Sequence, residues 1–91
     1  MIQLTKVIKV ESAGGFRLRV LFSNGREGVH DFSALVAKSG VMVEPLKDEE
    51  FFRRVFIEFG VLTWPNGFDF DSIALHDEMA AAGELREHTP A

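Results

Sequence analysis

Residues 16–32 read FRLRVLFSNGREGVHDF, and no other stretch of the chain restricts its fold so much. Phe16, Leu18, Val20 and Phe22 alternate with Arg17, Arg19 and Leu21. Period two with arginines on one face is the pattern of a half-buried strand. Asn24-Gly25 follows, a dipeptide that supplies the positive φ angles of a tight hairpin turn. Arg26–Phe32 is then the return strand, and Gly28 inside it marks a bulge. The centre of the fold is therefore an antiparallel sheet with one wet face.

The remaining segments fit around that hairpin. Residues 4–10 are rich in branched side chains and read as a strand, joined to Phe16 by a turn at Ser12-Ala13-Gly14-Gly15. Asp31 or Ser33 caps a short helix over Ala34–Lys38 that Gly40 ends. Asp48–Arg54 reads as a second short helix, its acids in the first turn and its arginines in the last, as the helix dipole favours. Val55–Phe59 and Val61–Trp64 read as strands around Gly60. Ser72–Ala82 is a helix stopped by Gly83, with Leu75 and Met79 on one face. The class is α+β: a small antiparallel sheet of about five strands with two or three short helices on one face. Residues 1–83 form a single domain and residues 84–91 a frayed tail.

Composition limits the function classes. Ninety-one residues make one domain, and nine Phe and one Trp provide a large apolar core. With no Cys there is no disulfide, no thiolate metal site and no Cys nucleophile. The first residues lack the apolar region of a secretory leader. No apolar run approaches a membrane span. The expectation is a cytoplasmic protein. Residues 1–54 carry nine Lys/Arg against seven Asp/Glu, whereas residues 55–91 carry one Arg against seven Asp/Glu. The acidic C-terminal third disfavours nucleic acid and suits a basic protein partner.

The stretch TWPNGFDFD, Thr63–Asp71, holds the only Trp. Pro65 favours an extended Trp64, and Asn66-Gly67 makes a turn. Asp71 stands where an N-cap belongs, with Ser72 as the first helical residue. Trp64 is a core or rim anchor whose indole N–H needs one partner. Phe68 and Phe70 leave an aromatic patch at this corner. Trp64, Phe68, Asp69 and Phe70 are the candidate partner contacts. Asp69, Asp71 and His76 are metal donors within eight residues, but their spacing matches no established motif. On a regular helix His76 turns away from the cap. His30-Asp31 invites an acid–base pairing that alternation along a strand opposes. No glycine-rich phosphate loop is present. Arg17, Arg19 and Arg26 are expected to share one face of the first hairpin, as its solvent side. No catalytic residue, cofactor site or metal site is assigned.

Phe22-x-Asn24-Gly25-x-x-Gly28-x-x-Asp31-Phe32-Ser33, Pro45-Leu46 leading to Phe51-Phe52, Gly60-x-Leu62-x-Trp64-Pro65-Asn66-Gly67-x-Asp69 and Leu75 together resemble the bacterial family called domain of unknown function 2442. The resemblance spans residues 4–78, and the Trp-Pro-Asn-Gly-x-Asp box is its most specific part. It implies a small α+β protein with no established activity. Some members carry a helix-turn-helix domain, and others lie beside small toxin-like proteins. This chain departs at Ser72, where Pro is usual, at His76, where an aromatic is usual, and at Phe68, where a smaller residue is common. Pro at the first helical position agrees with Asp71 as N-cap. The reading that follows is a non-enzymatic protein-interaction module, antitoxin-like or regulatory, that self-associates or binds a basic toxin-like partner. The alternatives are a nucleic-acid-associated regulator, with direct binding disfavoured, and a metal-dependent enzyme using Asp69, Asp71 and His76.

Overall fold

A computed structural model describes residues 5–88. The alternating stretch forms as its period requires. Strands β1 (Val7–Ser12), β2 (Arg17–Phe22) and β3 (Arg26–Asp31) make an antiparallel meander. Leu18, Val20 and Phe22 are fully buried. Their register partners His30 and Gly28 lie on the same face, whereas Arg19↔Val29 and Leu21↔Glu27 face outward. Arg26 falls two residues from Gly28, so it shares the inner side and not the face of Arg17 and Arg19.

The β2–β3 loop has three residues instead of two. Gly25 N–H donates to the Phe22 carbonyl at 3.0 Å, and of Asn24 and Gly25 only the glycine takes a left-handed φ, +86°. That is a type I turn closed by a left-handed glycine. The Asn24 side chain serves differently: its Oδ1 accepts from Arg26 N–H at 3.0 Å.

Beyond β3 the chain makes helix α1 (Ser33–Val36), a 3₁₀ turn over Glu44–Lys47 and helix α2 (Glu49–Phe52). Phe32 occupies the N-cap position of α1 without a capping side chain. Asp31 satisfies the first turn instead, accepting from Ser33 N–H at 2.8 Å and from Ser33 Oγ at 2.6 Å. Asp48 caps α2 by accepting from Glu50 N–H. Strands β4 (Phe56–Glu58), β5 (Val61–Thr63) and β6 (Asp69–Phe70) follow, then helix α3 (Ser72–Ala81) and strand β7 (Arg86–Glu87).

The α+β class holds, but the strands do not form one sheet of about five. They form a four-stranded sheet, β1-β2-β3-β7, and a three-stranded sheet, β4-β5-β6. The reason is local. Strands β4 to β6 are two or three residues long and pair only with their hairpin neighbours. Strand β1 meets them through one backbone bond, Val7 N–H to the Gly60 carbonyl at 2.8 Å, rather than through a ladder.

The expected frayed tail also behaves differently. Arg86 and Glu87 pair with Glu27 and Arg26 on β3, and His88 N–H donates to the Gly25 carbonyl. The turn after α3 directs this. Gly83 takes φ +71°, and Glu84 N–H bonds back to the Met79 carbonyl, a helix stop that reverses the chain onto the sheet. The Glu84 carbonyl lies so close to Gly28 that a Cβ there would sit 2.1 Å from it. Gly28 is thus a docking point for the chain leaving α3, not a bulge, since β3 pairs with β2 one-to-one from Arg17↔Asp31 to Leu21↔Glu27. The rest of the tail, residues 89–91, lies outside the described residues.

One core serves both sheets. Leu18, Phe22, Phe52, Leu62, Trp64 and Leu75 are all at 0% exposure and belong to a single cluster. The buried side of α3 is Ser72, Leu75 and Met79, an i, i+3, i+7 stripe that closes the core.

Candidate functional site

The Trp64 corner is built from its turn upward. Trp64 N–H donates to the Phe68 carbonyl and Gly67 N–H to the Trp64 carbonyl, each at 2.9 Å. Gly67 is left-handed, φ +89°. The corner is therefore a hairpin: β6 returns along β5, with Thr63↔Asp69 and Leu62↔Phe70 in register. Only then does α3 begin. Asp71 is its N-cap, accepting from Ala74 N–H at 2.9 Å. Asn66 ties the turn to the preceding loop by donating to the Met42 carbonyl.

This geometry removes Trp64 from the surface. It is fully buried, and its Nε1–H donates to the Phe52 carbonyl at 2.9 Å. Its ring packs 5.6 Å from Phe52 and 5.7 Å from Phe68. Phe68 and Phe70 are half-buried against the core, and Phe70 stands edge-on to Phe32. Of the four expected contact residues, only Asp69 is exposed. The expected aromatic patch is an extension of the core. A side chain just past the end of β5, on the same side as the buried Leu62 and with a satisfied N–H, has no reason to remain at the rim.

The structure does not gather Asp69, Asp71 and His76 into a ligand set. Asp71 is engaged as a cap. His76 Nε2 lies 2.9 Å from Asn24 Nδ2, and its ring stands edge-on to Phe22 at 4.9 Å. His76 thereby fastens α3 to the β2–β3 loop. Among the described residues no three His, Asp or Glu side chains are arranged to hold a metal ion.

His30 and Asp31 face apart, as alternation requires. Asp31 sits with Ser33, whose hydroxyl and N–H hold its carboxyl below the usual range. His30 turns inward. Its Nδ1 is 2.7 Å from Glu84 Oε1, and its Nε2 is 3.7 Å from Glu78 Oε2. Its ring stands edge-on to Phe32 at 4.8 Å. Glu78 and Glu84 were not singled out from the sequence. They lie about fifty residues from His30, and no local pattern links them.

On the outer face the arginines have partners. Arg19 is 3.4 Å from Glu11, and Arg17 donates to the Ala13 carbonyl. Arg26, on the other side, is 3.8 Å from Glu87. Glu27 accepts from His88 at 2.9 Å, and this bond is the main cause of its lowered pKa, with Arg86 adding to it. The basic hairpin is thus a mixed-charge surface, a poor match for a polyanion.

Apolar exposure lies elsewhere. Phe59 is 92% exposed, and Phe56 and Ile8 are also open to solvent. Phe59 and Gly60 form the two-residue turn between β4 and β5, with φ +52° and +78° and Glu58 paired to Val61. Two successive positive φ angles make a type I′ turn, where Asn-Gly is the usual dipeptide. By its sequence pattern alone Phe59 is the last residue of the strand Val55–Phe59. The signal that identified the turn was available: a residue followed by Gly between two β-rich runs.

No helix among the described residues is long and apolar enough to cross a membrane. No curated protein and no solved structure matches the chain. The family model described as "Protein of unknown function (DUF2442)" matches residues 7–79, from the first strand through the buried Met79 of α3. The hairpin glycines, the Trp64 corner and the capped start of the last helix all fall within this match, and the chain belongs to the DUF2442 family.

Proposed function

We propose that the protein is a non-enzymatic protein-interaction module of the cytoplasm, an antitoxin-like or regulatory accessory partner, whose contact surface centres on Phe59. The observation that carries this reading is a phenylalanine at 92% exposure held at φ +52°. A left-handed conformation costs a non-glycine residue about 1–2 kcal/mol, and an exposed ring returns nothing to the folded chain. Strain of this kind collects at functional contacts. Phe56 on β4 and Ile8 on β1 are further exposed apolar side chains. Large apolar side chains left in solvent are surfaces that other chains cover. The acidic C-terminal third favours a basic partner.

The test is affinity capture from a lysate of the source organism, after nuclease treatment, with the wild type and Phe59→Asn side by side. One stoichiometric basic protein held by the wild type and released by the variant, at unchanged thermal stability, is the expected result. A dimer in solution that Phe59→Asn dissociates would identify the partner as a second copy. Equal capture by both proteins, or a monomeric wild type that captures nothing, would overturn the reading.

A further inference from the structure

Strand β7 is fastened to the sheet by charge and backbone bonds, with little apolar burial. Among the described residues the buried core ends at Met79, and so does the family match. Of Leu85–His88, only Leu85 packs on the core, half-buried; Arg86, Glu87 and His88 are exposed. Strand β7 is two residues long, whereas β2 and β3 are each six.

The charges on β7 match those opposite. In register, Arg86 faces Glu27 and Glu87 faces Arg26, at 3.7 and 3.8 Å. His88 Nδ1 lies 2.9 Å from the same Glu27 carboxylate. An ionised carboxylate only accepts, so Nδ1 carries the proton here, as it does in the imidazolium and in one neutral tautomer. The His88 backbone N–H adds a bond to the Gly25 carbonyl at 2.8 Å. Exposed ion pairs contribute little each, and salt screens them. A segment held in this way opens locally, without the rest of the fold.

The root of the segment is secured differently. Glu84 N–H bonds to the Met79 carbonyl at 2.9 Å, and the Glu84 carboxylate lies 2.7 Å from His30 Nδ1. Neither bond involves β7, so both persist when β7 leaves. We propose that Leu85–His88 is a charge-fastened strap, hinged after Glu84, that opens and closes over the edge of β3 while the core stays folded. Opening gives solvent the Gly25 carbonyl and the strand edge at Arg26 and Glu27, a template on which another strand can pair. It also withdraws His88 from the outer-face cleft that it lines with Lys9, Arg19, Leu21 and Glu27.

The test is native-state hydrogen exchange on the full chain, read by NMR in about 0.01 M and about 1 M sodium chloride, between which the Debye length falls from about 30 Å to about 3 Å. The amides of Arg86 and His88 should exchange about a hundredfold or more faster than those of Leu18 and Trp64. High salt should speed them about fivefold further and should not speed Leu18 or Trp64. Arg26→Glu and Glu87→Arg change exposed positions, and each should speed exchange at His88 about fivefold; the double variant should restore the original rate. Exchange at Arg86 and His88 as slow as at Leu18 would overturn the strap. So would a complete lack of protection at both amides, rates that ignore salt, or a double variant that does not recover. None of these readouts involves Phe59, so this inference and the contact surface proposed above stand or fall separately.

Discussion

Two of the chain's short hairpin turns carry a large aromatic residue, Trp64 at the edge of one and Phe59 within the other, and the structure uses them in opposite ways. At the β5–β6 turn, Trp64 precedes Pro65-Asn66-Gly67 and is completely buried. At the β4–β5 turn, Phe59 precedes Gly60 and is almost completely exposed. The difference follows from position within the turn. Trp64 ends a strand on its inner side, its N–H has the Phe52 carbonyl, and residues suited to the task make the turn after it. Phe59 is itself a central turn residue. Its side chain leaves the hairpin at the tip, where no core exists to receive it. Aromatic content alone therefore says little about contact surfaces; the backbone position of each ring decides.

This contrast can be tested by substitution. Trp64→Ala should have the largest effect, a loss of about 3–5 kcal/mol. A domain of this size has about 5–14 kcal/mol in total, so urea unfolding should show a variant near the edge of stability. A cost under about 1 kcal/mol would mean that the corner is not part of the core. Phe68→Ala should cost less, about 1–3 kcal/mol, since its ring is half-buried against Trp64. An unchanged midpoint in the same urea titration would restore Phe68 as a surface residue. Asp71→Ala removes the cap of α3 and should cost about 1 kcal/mol. Hydrogen exchange at Ala74 and the neighbouring amides is the local readout, and unaltered protection would argue against the cap. Phe59→Asn should have the smallest effect and the opposite sign, a gain of up to about 1 kcal/mol as the left-handed strain is relieved. A clear loss of stability would place the Phe59 ring in the fold and remove the contrast.

Much of the local architecture was legible in the chain. The alternation of Phe16–Phe22 placed β2 and its buried face. Asp71 announced the start of α3, and Gly83 its end. The Trp-Pro-Asn-Gly-x-Asp box pointed to the family that the match over residues 7–79 establishes. The candidate contacts were less legible. Trp64 packs on Phe68 and Phe70 on Phe32, and closeness in sequence did not reveal whether solvent or core lay beyond these rings. Phe59 was missed because its apolar neighbours made Val55–Phe59 look like one strand.

What the sequence determined by itself was whatever is set within a few residues: periods, caps, turns and the local order of strands and helices. Backbone sterics and short-range hydrogen bonds act over that distance and leave a pattern in the residues concerned. Only the tertiary structure decided that the strands divide into two sheets, and that Arg86–Glu87 return to β3 over Gly28. Only it decided that His30 meets Glu84 and Glu78, that Trp64 is interior and that Phe59 is not. These outcomes depend on which faces cover one another between separate elements of the chain. Burial is a property of the packed whole, so a hydrophobic residue carries no local mark of whether another surface will reach it.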